Sequence, residues 1–489
     1  MARNRLIEQI KTYRYELVAL ITGASVMMLE IVGARLIAPY FGTSTYVWTA
    51  MIGVILGSLA LGYWYGGRIA DTKDSSRHLG ALLVIAAALL LMVALVHPAL
   101  LQSIAETNLD LRLSAFIAAV LLFGVPSALI GAISPHLAKV RVTSLDITGK
   151  AVGRLEAAGA IGSISGTFLA GYVLLGWLGS RSIMLGLVAV LVVVSFLVDY
   201  RRWRAARVVL AMVALVCIWL PPIQPVAIIS DTDSAYARYQ VKSVVYNGRA
   251  TTILQTDHSG YQSGVYDTAA PGELPFAYTR DFMKLFGEIR PASVLMIGGG
   301  TYVVPGAIAE IAPSTAVTVV EIDPQLDQLA ARYFGYNSPP SVEIVHEDGR
   351  TFLNRNQQQF PLAYVDAFQA LTPPFQLTTK EAVAGLKRAV GDQGLVVVNV
   401  IAESKNGRSE YLEALQATYQ TQFEAVAVVQ TNPRLSPAAR QNFLMLVAND
   451  PQVVERAKAA LGQRPTIPVT AGGRILSDDY APIERLTFH

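Results

Sequence analysis

Six long apolar runs in the first half of the chain most strongly limit what it can fold into. A helix that crosses a bilayer needs about 20 largely apolar residues. A seventh apolar run, residues 208–229, contains three prolines, so only its first part can be a regular helix, which either spans the bilayer or lies in its interface. The sequence therefore predicts an α-helical membrane bundle over residues 1–230. The six clear runs lie near residues 17–38, 46–67, 79–97, 113–138, 152–178 and 181–198.

Lysine and arginine are concentrated in alternate loops of this bundle. Basic residues precede the first run and follow the second, fourth and sixth runs, whereas the intervening loops are nearly uncharged. Because positively charged loops stay in the cytoplasm, the pattern predicts a multi-pass protein of the cell (inner) membrane with a cytoplasmic N-terminus and the lipid bilayer as a partner. A seventh crossing would put the rest of the chain on the other side, so this pattern does not decide where the C-terminal half lies.

Small residues recur every four positions in several of these runs. Such spacing lets two helices approach closely, so we expect a tightly packed bundle. The examples are Gly53 with Gly57, Gly62 with Gly66, and the series Ala158, Gly162, Gly166 and Ala170.

After about residue 230 the chain changes to short alternating segments with polar turns and regular charge, as expected of a water-soluble domain. Strand patterns at residues 240–266, with an Asn247-Gly248 hairpin turn and a second turn at residues 257–260, predict a small antiparallel sheet. From residue 290 strands alternate with helical stretches, which indicates a parallel, doubly wound sheet.

The predicted fold is thus an α-helical membrane bundle followed by an α/β Rossmann-like (class I methyltransferase-like) domain with a small N-terminal β-hairpin subdomain. The hairpin subdomain covers residues 231–289 and the Rossmann-like subdomain covers residues 290–489. Two late strands, EAVAVVQ and NFLMLVA, are expected to form a terminal antiparallel pair. Thr378 and Glu381 are predicted to form a capping box at the start of one helix.

Charge and cysteine content exclude several classes of function. A net charge of +3 is small for 489 residues, and the basic residues form short clusters near apolar runs, which argues against a nucleic-acid partner. Cys217 is the only cysteine, so there is neither an intrachain disulfide nor a thiolate metal site. No metal is predicted.

The first two strands of the parallel sheet end in residues that suit a nucleoside. Gly298, Gly299 and Gly300 follow the strand VLMI, where backbone can pass close to a ligand and can reach positive φ. The next strand ends at Glu321, and a carboxylate at this place can accept hydrogen bonds from both ribose hydroxyls. The alternative is that the acid only caps the helix that follows.

The next two strands end in further acids. Asp348 can accept a hydrogen bond from an adenine amino group while Gly349 leaves room for the base, although Asp348 could equally cap a helix. Asp366 ends the fourth strand at the mouth of the same cleft. There a partly desolvated carboxylate can orient an amine and accept its proton, unless it too serves as a helix cap.

These motifs carry a resemblance to a known family. The soluble half resembles the spermidine synthases, which are polyamine aminopropyltransferases, over roughly residues 231–489. The N-terminal half is similar to the membrane portion of fused, membrane-bound bacterial members. The motifs are IGGG at 297–300, VVEID at 319–323, EDGR at 347–350, YVDAF at 364–368 and LTTKE at 377–381.

The resemblance implies a reaction and a role for individual residues. Decarboxylated S-adenosylmethionine would donate an aminopropyl group to putrescine or a related amine and leave as methylthioadenosine. Gln240 and Glu321 would hold the nucleoside, and Asp348 would contact the adenine. Asp366 would be the base, and Tyr278 would line the amine pocket. A homo-oligomer is compatible with the resemblance, because soluble members commonly form dimers or tetramers.

Two positions depart from the family's pattern. Thr301 and Gln369 stand where proven synthases carry acids that would bind ammonium groups. Gln369 and Asp479 are accordingly assigned to substrate binding. Asp478 and Asp479, in the terminal SDDYAPIE segment, either replace the lost acids or are surface acids.

Two alternative functions follow from these observations. One is a methyltransferase that uses S-adenosylmethionine itself, which is favoured if a neutral or basic group near Thr301 accepts the methionine carboxylate. The other is a non-catalytic polyamine-binding or transport protein. Its pathway would include Glu30, an ionisable residue inside the first apolar run, where such groups are costly and mark either a polar site or a buried pair.

Overall fold

The computed structural model divides the chain into two compact units. The first comprises Met1–Pro225 with Thr232–Ala235, and the second comprises Val226–Asp231 with Tyr236–His489. The residues that the structure describes are 2–71, 75–107, 109–142, 148–198, 204–219, 228–256, 261–270, 272–367, 373–403, 409–436, 438–462, 464–468 and 473–487.

The described part of residues 1–219 is mostly helical. Six stretches there are long and apolar enough to cross a membrane, which confirms the six predicted runs. Two π-helical segments, Val120–Gly124 and Leu169–Leu174, continue α4 into α5 and α7 into α8. The helices are α1 (Ala2–Phe41), α2 (Thr45–Ala70), α3 (Ser75–Ala105), α4 (Leu111–Ala119), α5 (Val125–Gly131), α6 (Ile133–Arg141), α7 (Thr148–Phe168), α8 (Leu175–Trp177), α9 (Ser180–Val198) and α10 (Arg204–Trp219).

The first part of the seventh apolar run forms α10, while residues 220–227 lie outside the described residues. The next described element is a strand that begins at Ile228.

Glycines set the distance between α1 and α7. A Cβ added at Gly162 would lie 1.9 Å from the carbonyl oxygen of Leu20, and one at Gly166 would lie 2.5 Å from that of Ala24. These backbones therefore touch, as the four-residue spacing predicts. The same expectation is wrong for Gly53 and Gly57, where an added Cβ would meet nothing within 4 Å.

A small four-stranded sheet contains β1 (Ile228–Asp233), β2 (Arg238–Tyr246), β3 (Arg249–Gln255) and β4 (Ser263–Tyr266), in that order. β2 and β3 form an antiparallel hairpin through Asn247 (φ 50°) and Gly248 (φ 75°), which confirms the predicted turn. The second predicted turn, residues 257–260, lies outside the described residues. β1 is an addition to the predicted sheet.

The larger sheet confirms the predicted Rossmann-like fold. Its strand order is β12-β10-β11-β9-β8-β5-β6-β7, with β5 to β9 parallel and β11 antiparallel to both β9 and β10. The strands are β5 (Ser293–Ile297), β6 (Ala316–Glu321), β7 (Val342–His346), β8 (Leu362–Val365), β9 (Leu395–Ala402), β10 (Ala425–Gln430), β11 (Gln441–Ala448) and β12 (Thr466–Ile467).

Helices cover both faces of this sheet. Alternate residues of β5 enter different cores, with Val294 and Met296 on one face and Leu295 and Ile297 on the other. The chain order reverses between β5 and β8, and open sheets of this kind bind ligands at the carboxyl ends of the strands beside such a reversal. The helices are α11 (Ala277–Ile289), α12 (Val303–Ile311), α13 (Gln325–Tyr333), α14 (Gly349–Arg355), α15 (Lys380–Val390), α16 (Glu410–Tyr419), α17 (Pro451–Ala460) and α18 (Ile483–Thr487).

The predicted capping box at Thr378 and Glu381 is wrong by one residue. Thr379 caps α15, because its hydroxyl accepts from the backbone nitrogen of Ala382 at 3.4 Å. A 3-10 turn, Phe375–Leu377, precedes it and holds Thr378 outside the cap position. The Glu381 carboxylate instead accepts from the backbone nitrogen of Asp478 at 3.0 Å.

Replacing Gly162 by alanine is expected to destabilise the bundle by about 1–3 kcal/mol, because the methyl group would force α1 and α7 apart. Gly153→Ala, on the same helix with nothing within 4 Å of an added Cβ, is the matched control. Thermal unfolding of both variants in detergent measures the difference. Equal unfolding temperatures would contradict this account of the contact.

Candidate active site

The glycine turn after β5 lies directly against the end of β8. Gly298 has φ 93°, and a Cβ added there would lie 2.4 Å from the carbonyl oxygen of Asp366. The Asp366 backbone nitrogen donates to the carbonyl oxygen of Ile297 at 2.9 Å. Only glycine fits here, since both the conformation and the space exclude a side chain.

Glu321, at the end of β6, is bound to the same turn. One carboxylate oxygen accepts from the backbone nitrogen of Gly299 at 2.8 Å, and the other accepts from that of Asp323 at 3.0 Å. Burial raises the pKa of Glu321, whereas these hydrogen bonds lower it. The carboxylate is therefore held in one orientation at the strand ends, with lone pairs left for further donors.

Asp348 caps the helix that follows β7. Its Oδ1 accepts from the backbone nitrogen of Thr351 at 3.0 Å. One of its two carboxylate oxygens therefore caps the helix, as the alternative interpretation of Asp348 stated. Gly349 is buried, and an added Cβ would lie 2.7 Å from the Ile297 side chain. Its small size lets α14 pack against β5.

Asp366 follows β8 and sits in a fixed hydrogen-bond frame. The Asn399 amide donates to its Oδ1 at 2.7 Å, and the Tyr364 hydroxyl lies 3.3 Å from its Oδ2. Desolvation raises the pKa of Asp366 to about 6, and the two hydrogen bonds oppose that rise. At neutral pH the carboxylate is therefore ionised but close to its titration point, as suits a proton acceptor.

The residues that hold Asp366 escaped the sequence prediction. Asn442 on β11 donates to the Asn399 oxygen at 2.9 Å, which turns the Asn399 amide group toward Asp366. Tyr364 stacks on Phe282, with ring centroids 4.1 Å apart. One signal was available, since Asn399 is the only polar residue in the strand segment VVVNV.

Tyr278 and Thr301 contact the hairpin subdomain. The Tyr278 hydroxyl donates to the carbonyl oxygen of Gln262 at 2.8 Å, and burial together with the charge on Asp366 raises the pKa of this phenol. The Thr301 hydroxyl lies 2.6 Å from that of Ser263, and both side chains are buried. The Thr301 contact is therefore between neutral groups, at the position where the resemblance implies an acid.

The Gln240 side chain is bound within the small hairpin sheet. Its side-chain amide donates to Asp231 at 3.2 Å. Its neighbour Tyr239 lies on the opposite face of β2, where its hydroxyl donates to Asp323, just beyond the end of β6, at 2.7 Å. Tyr239 therefore reaches a strand end, and no signal in the sequence distinguished it from Gln240.

Two further residues, Gln369 and Asp479, are assigned to substrate binding. Gln369 is outside the described residues. Arg350 binds Asp478 with two nitrogens, at 3.0 and 2.7 Å, so this acid holds the terminal segment against α14. Asp479 is exposed, and its side chain makes no hydrogen bond to the described part of the chain.

Comparison with known families identifies the domain that carries this site. Residues 276–455 match the family of spermine/spermidine synthase domains. The chain therefore contains a spermidine synthase domain. This confirms the family predicted from the strand-end motifs.

Individual relatives agree with this assignment over part of their length. The chain is 31% identical over 150 residues to a polyamine aminopropyltransferase of Vibrio vulnificus strain CMCP6, covering 29% of this chain and 50% of that one. It is also 31% identical over 113 residues to an N-terminal histidine N-methyltransferase of Emericella nidulans, covering 22% and 20%. The chain thus spans half or less of these relatives.

Among solved structures, the spermidine synthase domain is similar to a probable spermidine synthase from Corynebacterium glutamicum ATCC 13032. The TM-score is 0.44 at 19% identity, covering 54% of this chain and 99% of that one.

Gly298→Ala is expected to destabilise the spermidine synthase domain more than Gly335→Ala does. Both residues have positive φ, at 93° and 71°, but an added Cβ meets Asp366 only at Gly298 and open space at Gly335. The control should lose about 1–2 kcal/mol from backbone strain alone, and Gly298→Ala should lose about 1–3 kcal/mol more from the clash. Denaturant unfolding of the two variants checks this, and equal losses would contradict it.

Proposed function

We propose that the chain is a membrane-anchored aminopropyltransferase. It moves the aminopropyl group of decarboxylated S-adenosylmethionine to putrescine or a related amine, and Asp366 is the base. The observation that carries the proposal is the desolvated Asp366 carboxylate, whose pKa is raised to about 6, beside the glycine turn of a spermidine synthase domain.

The strand ends supply the nucleoside site. The turn formed by Gly298, Gly299 and Gly300 offers close backbone approach, and Glu321 beside it presents a fixed carboxylate for the ribose hydroxyls. Asp348 keeps one oxygen for the adenine amino group while the other caps α14. Tyr278 and Gln369 complete the amine pocket, and Asp479 contributes charge from the terminal segment.

The chemistry needs one proton acceptor. An alkyl amine has a pKa of about 10.4, so it binds as an ammonium ion, which has no lone pair with which to attack carbon. Asp366 pairs with this ion and accepts a proton from its nitrogen. The freed nitrogen lone pair then forms the new bond to the aminopropyl carbon while the carbon–sulfur bond breaks. The bonding pair stays on sulfur, which becomes the neutral thioether of methylthioadenosine.

A second candidate is methyl transfer from S-adenosylmethionine to an amine. The neutral pair of Ser263 and Thr301, 2.6 Å apart, favours it, because a hydroxyl can donate to the methionine carboxylate where an acid would repel it. The N-terminal histidine N-methyltransferase among the relatives supports the same reaction class.

The bundle supplies the membrane anchor. Six described helical stretches have the length and apolarity to cross a bilayer, and the basic loops favour the cell (inner) membrane with the N-terminus in the cytoplasm.

The direct test incubates the purified full chain with each sulfonium donor and several amines and identifies the products by mass spectrometry. Transfer is expected to fall about 10²–10⁴-fold in Asp366→Asn, because the amide cannot accept the proton. Wild-type kcat/KM should fall about tenfold per pH unit below the Asp366 pKa of about 6, where the base of the free enzyme becomes protonated.

Folding and surface effects are controlled separately. Because burial raises the pKa of Asp366 from 3.8 to about 6, the cost of its ionisation to folding stability grows across that range and is fully present above it, so Asp366→Asn should melt no lower than wild type at neutral pH. Asp479→Asn tests whether this exposed acid contributes to substrate binding.

The proposal fails if wild type transfers no aminopropyl group or if Asp366→Asn is fully active. Transfer of methyl instead establishes the second candidate.

Orientation is tested by cysteine labelling in a Cys217→Ala background. Thr43→Cys, between α1 and α2, should react with a membrane-impermeant maleimide on intact cells. Gly149→Cys, near the start of α7, should react only after permeabilisation, since it follows a basic loop. Both positions are exposed. The reverse labelling pattern would contradict a cytoplasmic N-terminus.

A further inference from the structure

Tyr302 occupies a backbone conformation that tyrosine rarely adopts. It follows the glycine turn, has φ 56° and precedes the first residue of α12. A non-glycine residue in this region costs roughly 1–2 kcal/mol, and such strain persists only where surrounding contacts impose it. Tyr302 is nevertheless fully buried, with 0% exposure. Its contacts therefore need a physical explanation.

The Tyr302 ring packs against the backbone of the glycine turn. A Cβ added at Gly299 would lie 2.3 Å from the ring, so the turn's backbone rests on it. The Tyr302 nitrogen donates to the carbonyl oxygen of Gly299 at 2.9 Å. On its other side the ring packs against Tyr336, with centroids 5.0 Å apart.

The Tyr302 hydroxyl connects this turn to two other strand ends. It donates to Oδ1 of Asp327 at 2.7 Å, in the first turn of the helix that follows β6. The other oxygen, Oδ2, accepts from Nε2 of His346 at 2.9 Å. His346 is the last residue of β7 and stands opposite Glu321 in the parallel register. One carboxylate thus joins the segments after β5 and β6 to the end of β7.

We propose that Tyr302, Asp327 and His346 form a positioning clamp for the nucleoside site. The three segments that it joins carry the glycine turn, Glu321 and the approach to Asp348. The inference rests on the proposed function, because that function assigns the glycine turn, Glu321 and Asp348 to one nucleoside ligand. None of the clamp side chains is assigned to substrate contact; they set the distances between the groups that are.

The chemistry of the clamp suits a fixed support. Burial and the neighbouring Asp327 raise the pKa of the Tyr302 phenol, so it remains a hydrogen-bond donor throughout the physiological range. Bonds to a charged acceptor are stronger than neutral ones, and this bond offsets the strain at Tyr302. A glycine in place of Tyr302 would avoid the strain, but the glycine turn would then lose the ring that packs against it.

The test measures binding of methylthioadenosine to the purified full chain by calorimetry, so that nucleoside recognition is separated from group transfer. Tyr302→Phe keeps the ring and removes the hydroxyl. We expect about tenfold weaker binding, the effect of losing a hydrogen bond to a charged partner. Tyr336→Phe is the matched control, because its buried hydroxyl has no hydrogen-bond partner within the described residues, and it should bind like wild type.

Steady-state kinetics and a conservative replacement distinguish positioning from general loss of structure. Tyr302→Phe should raise KM for the sulfonium donor about tenfold with kcat within about twofold, as for an interaction that acts equally on ground and transition states. His346→Leu should weaken nucleoside binding in the same direction. His346→Gln keeps an N–H donor for Asp327 and should restore it, and this pair provides the test if Tyr302→Phe does not fold.

Each outcome decides the question. Nucleoside affinity unchanged in Tyr302→Phe and in His346→Leu would overturn the clamp and leave the proposed function standing. Equal loss in His346→Leu and His346→Gln would also overturn it. Absence of methylthioadenosine binding in wild type would overturn the nucleoside site and the clamp together, whereas binding without any transfer would overturn only the proposed reaction.

Discussion

The site depends on a contact between two pieces of backbone. Gly298 and the carbonyl group of Asp366 approach so closely that an added Cβ would lie 2.4 Å from the oxygen. This contact places the glycine turn beside the residue that carries the Asp366 carboxylate, because β5 and β8 are parallel neighbours where the sheet order reverses. Glu321 then bonds the turn from the other side at 2.8 Å. Main-chain geometry thus brings the proposed nucleoside and acceptor groups together, and side-chain hydrogen bonds such as that from Asn399 to Asp366 then orient them.

Strand ends could be predicted from the sequence because their location follows from periodicity. Each apolar run stops where the sheet stops, so Glu321 and Asp366 had to emerge at the carboxyl edge. The groups around them could not be predicted in the same way. Asn399 reaches Asp366 only because β9 lies beside β8, and Asn442 reaches Asn399 only because β11 pairs antiparallel with β9. Those pairings are properties of the assembled sheet.

The same limit applies to faces of strands and helices. Tyr239 and Gln240 are adjacent in sequence but point to opposite faces of β2. The local sequence pattern does not say which of the two side chains reaches Asp323, just beyond the end of β6. Gly162 and Gly57 share a small-residue spacing, yet only Gly162 touches another helix. Tyr302 gave no signal, since nothing in the sequence marks a tyrosine that will adopt a positive φ. Close approaches and strained conformations are decided by which elements become neighbours.

The charge balance of the cleft links amine binding to protonation under the proposed function. Asp366 is ionised above about pH 6 at the expense of desolvation, and the two side chains that donate hydrogen bonds to it, Asn399 and Tyr364, are neutral. A bound ammonium ion would supply the missing positive charge and lower the pKa of Asp366, since an opposite charge favours the ionised form. The ammonium and the carboxylate therefore first form an ion pair, and the proton transfer that frees the amine also neutralises the acid. A neutral amine nitrogen and a protonated Asp366 then face the sulfonium carbon without a buried unpaired anion, so the desolvation that disfavours Asp366 alone favours the reactive pair.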